Sequence, residues 1–415
     1  MPPPIALDLV SARFKANPYP LFARLRNEAP AHQIRLPDGR VAWLVTRYED
    51  VVTTLKDSRL VKDRRRVSER GHLPLERYLE PLYAPLAFNM LDQDPPDHTR
   101  LRSLVHKAFT PRLVERLRDR IQGLADALLD RAPRNRPFDL VDGYALPIPA
   151  TIIADLLGVP ASDRHRFHSW SSRIVSVASA RDLLFAAPSA FLFMRYLRRL
   201  FERRRADPRD DLVTALVQAE EAGDRLNAKE LVAMVFLLLV AGHETTVNLI
   251  SCGTLALMER TDQLERLRRE PSLLESGTAI EELLRYTSPV QIATERYATE
   301  DIELDGVRVP RGALVLAAVA SANHDERQFA GPDDLDVGRA PNPHVAFGQG
   351  VHYCLGAPLA RLEGQVAIAT LLRRLDDLRL AVPFGGLKWG RSIFLRGLEH
   401  LPLTATRTAG AIMTA

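Results

Sequence analysis

The residues best placed to do chemistry gather around a cysteine. Cys354 is one of two cysteines in the 415-residue chain, and it lies in Phe-Gly-Gln-Gly-Val-His-Tyr-Cys-Leu-Gly-Ala-Pro, with Phe347 and Gly350 before it and Gly356 after it. Pro358 suits the first turn of a following helix. A thiolate just ahead of a helix N-terminus is stabilised by the positive end of the dipole and by unused backbone N–H groups. Small flanking residues also let a flat, bulky group approach the sulfur. Such a thiolate suits a nucleophile, a zinc ligand or an axial ligand to haem iron. A nucleophile wants a histidine base and a third orienting group; His352 is near in sequence, but no third group can be read. Zinc wants three or four ligands, and the chain has no Cys-x-x-Cys. Haem iron needs only the one thiolate.

A second constellation interrupts the most apolar segment. In Leu-Leu-Leu-Val-Ala-Gly-His-Glu-Thr-Thr, the residues Gly242, His243, Glu244, Thr245 and Thr246 cut into a core-like helix. Glycine there costs about 1 kcal/mol relative to alanine, and a buried carboxylate costs more unless paired. Such a run suggests a place where the backbone opens beside a ligand, or a helix that briefly surfaces. Glu244 and Thr245, acid beside alcohol, suit stepwise proton transfer to a bound species. The second histidine of a His-Glu-x-x-His zinc motif is missing. His243 is read simply as a helix residue, and Cys252 as core.

Two further pairs carry charge at helical spacing. Glu282 and Arg285 are i, i+3, and His98 and Arg102 are i, i+4 after a proline-rich start. A solvated surface pair is the bland reading of each. The basic pair would otherwise aim at a carboxylate or phosphate. Arg296 says little by itself.

The elements that must position these residues are mostly helical. Helical periods run over Pro111 to Arg131, Phe185 to Arg205, Asn227 to Glu259 and Ala279 to Tyr286. A hairpin is expected around Pro37-Asp38-Gly39, and a second strand-rich patch follows Asp301, with turns at Asp305-Gly306 and Pro310-Arg311-Gly312. No repeat or low-complexity linker divides the chain, so a single domain over 1–415 is expected, mainly α with small β-sheets (α+β). At 46% hydrophobic and 26% charged residues it reads as an ordinary globular chain with a sizeable core. The net charge of +4, without basic residues interleaved with aromatics, does not suit nucleic-acid binding. Two cysteines exclude a disulfide framework. The N-terminus does not read as a signal peptide, and the 11 residues Leu231 to Ala241 fall short of the ~20 that span a bilayer. A cytoplasmic protein without a membrane contact is expected.

Taken together these motifs resemble the cytochrome P450 family, of the bacterial soluble haem-thiolate monooxygenase type, over nearly the full length. The cysteine-loop pattern is met by Phe347, Gly350, Cys354 and Gly356, and the Ala-Gly-x-Glu-Thr pattern by Ala241, Gly242, Glu244 and Thr245. Glu-x-x-Arg is Glu282 and Arg285, and His-x-x-x-Arg is His98 and Arg102. The resemblance implies the P450 fold and haem b, with Cys354 as the iron ligand. It implies that His98, Arg102, Arg296 and His352 hold the propionates, while Glu282 and Arg285 pair with Arg339 to brace the loop under the haem. Gly242 would mark a helix distortion that admits dioxygen, with Glu244 and Thr245 supplying protons.

The implied pocket is lined by the segment before His98, parts of Phe167 to Leu200, Leu237, Val240 and Ala241, Val290 to Ile292, and Ile393 and Phe394; the individually named positions are mainly apolar and suit an apolar small-molecule substrate. The implied reaction is hydroxylation or epoxidation, with two electrons from a ferredoxin and its reductase. Arg112 and Arg361 are candidates to meet an acidic ferredoxin, and a monomer is expected. A haem sensor or carrier, and a peroxide-driven relative, are the alternatives; the intact acid–alcohol pair argues against both.

Overall fold

Strong alternation about Pro37-Asp38-Gly39 becomes the antiparallel pair Ala31–Arg35 and Val41–Val45, closed by a turn in which Gly39 takes φ 86°. A side chain rarely adopts that φ, so glycine is the residue the turn requires. The structure, a computed structural model, describes residues 4–67, 89–109, 111–133, 136–164, 166–167, 169–170, 180–221 and 227–407. They form two compact units. One comprises Met1–Val67, Arg116–Ile148 and Thr245–Ala415; the other comprises Ser68–Glu115 and Pro149–Glu244.

All the described strands lie in the first unit. The hairpin is the middle of a six-stranded mixed sheet, ordered Ile5–Ala6, Ala31–Arg35, Val41–Val45, Leu314–Ala317, Arg296–Ala298 and Leu60–Val61. Its alternating side chains feed two apolar clusters. Ile34, Leu44 and Leu316 pack with Phe22 and Leu25, while Trp43, Val45 and Val315 pack with Val51 and Leu55. The strand-rich patch gives the small hairpin Ile302–Leu304 with Val307–Val309, and its last strand, Leu314–Ala317, joins the large sheet.

The second unit is helical among its described residues, with Asp97–Ala108, Ala180–Ala206 and Leu212–Glu221. The expected helix from Pro111 to Arg131 is two helices, Pro111–Glu115 and Arg118–Arg131. Apolar periodicity carries across a two-residue break and cannot mark it. The long helix runs Ala228–Glu259, and the boundary between the units falls within it, after Glu244. Among the described residues it is the one helix long and apolar enough to cross a membrane by length and composition, which the 11-residue apolar run alone did not suggest; 56% of its most apolar window is buried inside the protein. It therefore has the character of a core helix.

In the first unit this helix packs closely on Ala357–Arg374. A Cβ on Gly364 would come within 2.7 Å of Leu249 Cδ2. One residue earlier, Glu363 is 1% exposed, and among the described residues neither carboxylate oxygen has a hydrogen-bond partner within ordinary distance and angle. Burial raises its pKa to about 8, and the neighbouring Thr246 hydroxyl offsets only part of that shift. The folded chain thus keeps a proton that the unfolded chain has released, between the ordinary glutamate range and about pH 8. Stability must fall as pH rises through that window, by up to about 1.4 kcal/mol per pH unit. Denaturant midpoints measured from pH 5 to 8 should show this slope in the native chain and a flatter one in Glu363→Gln.

Candidate active site

The cysteine loop owes its shape to two glycines. Gly348 and Gly350 both take φ 71°, and a Cβ on Gly350 would lie 2.9 Å from the Leu55 carbonyl oxygen. Only glycine meets both demands. A short 3-10 turn, Gly350–His352, follows; Cys354 N then donates to Phe347 O at 2.9 Å, closing the loop. The helix Ala357–Arg374 starts directly after Gly356, with Pro358 in its first turn. Cys354 is partly exposed while Cys252 is buried, so the loop cysteine is the one that can bind something.

The helix Thr278–Thr287 carries a buried ionic cluster. Glu282 and Arg285 are both 0% exposed, and Arg285 donates to both Glu282 oxygens at 2.7 Å. Arg339 Nε reaches the same carboxylate at 3.1 and 3.2 Å, and Asn342 Nδ2 and Asp336 N add donors at 3.0 Å. Arg285 also donates to the carbonyls of Asn323, Pro332 and Asp334. The surface-pair reading of Glu-x-x-Arg therefore does not apply to this chain.

Arg361 is committed elsewhere than expected. It makes a two-pronged pair with Glu281 at 2.7 and 2.8 Å and lies 4.5 Å from the Phe347 ring centre. Burial alone would raise the Glu281 pKa, but Arg361 and His344 outweigh it and bring it to about 2. Most of the charge that Arg361 could offer an acidic partner is thus compensated internally. Arg112 is exposed.

The remaining cationic residues are placed as follows. In the first unit Arg296 is 4% exposed at the start of its strand and donates to Thr294 O, and His352 is half-buried. In the second unit His98 is 2% exposed, one turn before Arg102. Burial, and then the Arg102 charge, push the His98 pKa down. Two basic groups one turn apart, His98 buried and Arg102 half-buried, would be stabilised by an anion between them, and a carboxylate would fit.

Leu237, Val240, Ala241 and Glu244 share one face of the long helix at spacings of three and four and are not buried, nor are Phe236 and Leu238 beside Leu237, whereas Met234, Val235, Leu239 and His243 are. Burial raises the Glu244 pKa, so its carboxyl holds a proton to higher pH than an ordinary glutamate. Thr245 is the next residue and is likewise partly exposed. The expected opening of the backbone at Gly242 is absent: the helix is continuous α from Ala228 to Glu259. Gly242 instead permits close packing, since a Cβ there would meet Ile153 Cδ1 at 3.3 Å. His243 is more than a helix residue. Its Nδ1 donates to Leu239 O at 2.7 Å, and burial keeps the ring neutral. It borders a cavity of about 180 Å³ with Thr151, Ala154, Arg164 and Phe167.

Among the pocket positions, Val290, Ile393 and Phe394 are partly exposed, but Ile292 is fully buried in the core cluster with Phe22 and Leu25. Three groups escaped the sequence reading: Glu363, Lys15 and Asn342. A single acid, base or amide in an apolar helix or a proline-rich loop has no spacing to mark it.

The family description "Cytochrome P450" matches residues 42–376. This chain belongs to the cytochrome P450 family. The P450 is 42% identical to the polyketide biosynthesis cytochrome P450 PksS of Bacillus subtilis, over 95% of this chain and 97% of that one. The solved structure of PksS superposes with a TM-score of 0.89 at 41% identity, over 96% of this chain and 100% of that one. The cytochrome P450 monooxygenase PikC of Streptomyces venezuelae is 44% identical, over 97% of this chain and 94% of that one. The vitamin D(3) 25-hydroxylase of Pseudonocardia autotrophica is 45% identical, over 96% of both. The protein is thus a P450 monooxygenase of the kind found in bacterial secondary metabolism, and its cofactor is haem b. The donor set fits that group: one accessible thiol in a glycine-shaped loop, and buried basic residues that suit carboxylates.

Glu282 is the member of the ionic cluster whose loss should be most visible. Glu282→Gln leaves two guanidiniums facing a neutral amide, and removing one partner of a buried pair costs about 3–5 kcal/mol. Urea denaturation should show a loss of that size, and the purified variant should carry less haem than the native chain.

Proposed function

We propose that this P450 hydroxylates or epoxidises a mainly apolar small molecule, using dioxygen and two electrons delivered by a ferredoxin and its reductase. One observation carries the reading. The accessible face of the long helix is apolar at Leu237, Val240 and Ala241 and ends in Glu244, with Thr245 next to it. An apolar wall that leads to an acid and an alcohol suits a substrate held by burial of its surface, beside a proton supply. PksS and the vitamin D(3) hydroxylase carry names that point to polyketide and sterol-like compounds, which is compatible with such a wall.

Cys354 Sγ is the iron ligand in this proposal. His98, Arg102, Arg296 and His352 hold the two propionates, and Phe347, Gly350, Gly356 and Ala241 shape the faces against which the macrocycle lies. When bound, the haem supplies the activation of dioxygen, and its thiolate ligand favours O–O cleavage. Glu244 would take up a proton from solvent at its carboxylate and pass it to Thr245 Oγ1, which would hold a proton toward the place where the haem would supply dioxygen activation. The Glu244 pKa, raised by burial, suits an acid that must regain its proton after giving it up. Glu282, Arg285 and Arg339 hold the cysteine loop in place and take no part in the chemistry. Both compact units act as one catalytic domain over 1–415, in a cytoplasmic monomer.

Two variants separate the roles. Cys354→His should abolish the far-red Soret band of the dithionite-reduced, carbon monoxide-bound protein. Thr245→Ala should keep that band and the binding of apolar ligands, yet lower product formed per reduced cofactor by about tenfold or more, with peroxide released instead. An unchanged yield per reduced cofactor would remove Thr245 from the proton path.

A further inference from the structure

The short helix Ala12–Ala16 buries a lysine completely. Lys15 is 0% exposed, and among the described residues no carboxylate pairs with it. Its Nζ donates to two backbone carbonyls, those of Ser392 and, at 2.6 Å, Leu395. A buried ammonium that lacks a counter-ion is costly, so the interaction it makes must matter to the fold or to the site. Burial, and then the Arg396 charge, bring its pKa down to about 7, while two accepting carbonyls favour the charged form.

The two carbonyls belong to one turn, and the other carbonyls of that turn are also taken. Gln291 Nε2 donates to Ile393 O at 2.7 Å, and Gln291 N donates to Phe394 O at 2.8 Å. Ser392 Oγ accepts from Phe394 N and Leu395 N at 3.2 and 3.1 Å. Arg396 then ties the far side, donating to Lys15 O, Ala16 O and Thr287 O while lying over the Tyr19 and Trp389 rings. All four backbone carbonyls from Ser392 to Leu395 thus accept hydrogen bonds, two of them from Lys15, while the Ile393 and Phe394 side chains stay partly exposed. A clamped backbone with accessible apolar side chains is the arrangement expected of a wall that must hold its shape against a ligand.

We infer that Lys15 is a positioning residue for substrate selection: its ammonium fixes the Ser392–Leu395 turn and so sets where Ile393 and Phe394 stand against the substrate. The inference rests on the reading of Ile393 and Phe394 as pocket wall. Lys15 itself touches neither substrate nor haem. An apolar residue at this position would leave both part-buried carbonyls without this donor, and the turn would settle elsewhere.

The test uses two ligands of haem iron, imidazole and the bulky azole clotrimazole, titrated by their Soret shifts into the haem-loaded protein. Imidazole is too small to sense the turn; clotrimazole reaches the pocket walls. Lys15→Met should bind imidazole within twofold of the native chain but clotrimazole about five- to twentyfold more weakly. Lys15→Arg, which keeps the charge and the donors, should recover part of that loss. Amides 393–396 should also exchange hydrogen faster in Lys15→Met without any ligand. Should Lys15→Met fail to take up haem, the same ratio is read on Lys15→Gln, whose shorter amide cannot span both carbonyls. A ratio that Phe394→Ala changes but neither Lys15 variant does overturns the role of Lys15 and leaves the pocket reading standing. A ratio that Phe394→Ala leaves unchanged overturns the pocket reading, and substrate positioning by Lys15 with it.

Discussion

One carboxylate, that of Glu282, faces two guanidiniums in a place that water does not reach, and much of the first unit is arranged around it. A buried charge is tolerated only if it is paired and its remaining lone pairs are used. Glu282 meets that condition with donors from Arg285, Arg339, Asn342 and the Asp336 backbone. Arg285 meets it in turn with the carbonyls of Asn323, Pro332 and Asp334. The chain between Asn323 and Asn342 is thereby fastened to the Thr278–Thr287 helix at several points, and the cysteine loop begins only a few residues later. Each donor is committed to one acceptor geometry, so the segment leading to Cys354 has little freedom to choose another path.

The same economy of polar groups shapes the long helix. Gly242 reads as a defect in a helix, yet its use is to let Ile153 approach; the polar run remains helical because each member has a reason to be there. His243 satisfies itself on Leu239 O as a neutral ring, and Glu244 and Thr245 lie toward the accessible face. Against this helix in the first unit Glu363 holds a buried carboxyl whose proton burial keeps near neutral pH, with only the Thr246 hydroxyl offsetting part of that shift. The helix is thus bordered by acids of raised pKa, one accessible and one sealed.

Charge that looked available for a partner is partly consumed within the chain. Arg361 spends its guanidinium on Glu281 and on the Phe347 ring, which links the helix after Cys354 to the helix that carries Glu282. Lys15 and Arg396 do the equivalent at the other edge of the unit, fastening the N-terminal helix to the turn before the last strand. The contacts of Lys15 with the turn, and of Arg396 with Lys15 and Ala16, join residues 377 to 381 positions apart, and each uses a long side chain whose head reaches backbone carbonyls.

Much of the candidate site was legible in the sequence because it is written at short spacing. Glycines flanking Cys354, Glu282 three residues before Arg285, and Glu244 beside Thr245 all announce themselves through local rules of turns, helix faces and caps. The helical periods and the Pro37-Asp38-Gly39 turn likewise marked most elements, though periodicity could not see the break at Arg116 and Leu117. What the tertiary structure alone decided is which long-range partner each polar group finds. Whether Glu-x-x-Arg is a surface pair or a buried hub depends on whether Asn323 to Asn342 closes over it. Whether Gly242 bends the helix or admits a neighbour depends on Ile153, and whether Ile292 lines a pocket or fills the core depends on Phe22 and Leu25. Lys15 had no signal at all, because a lone lysine becomes distinctive only when folding strips it of water and brings two carbonyls from the far end of the chain to its ammonium.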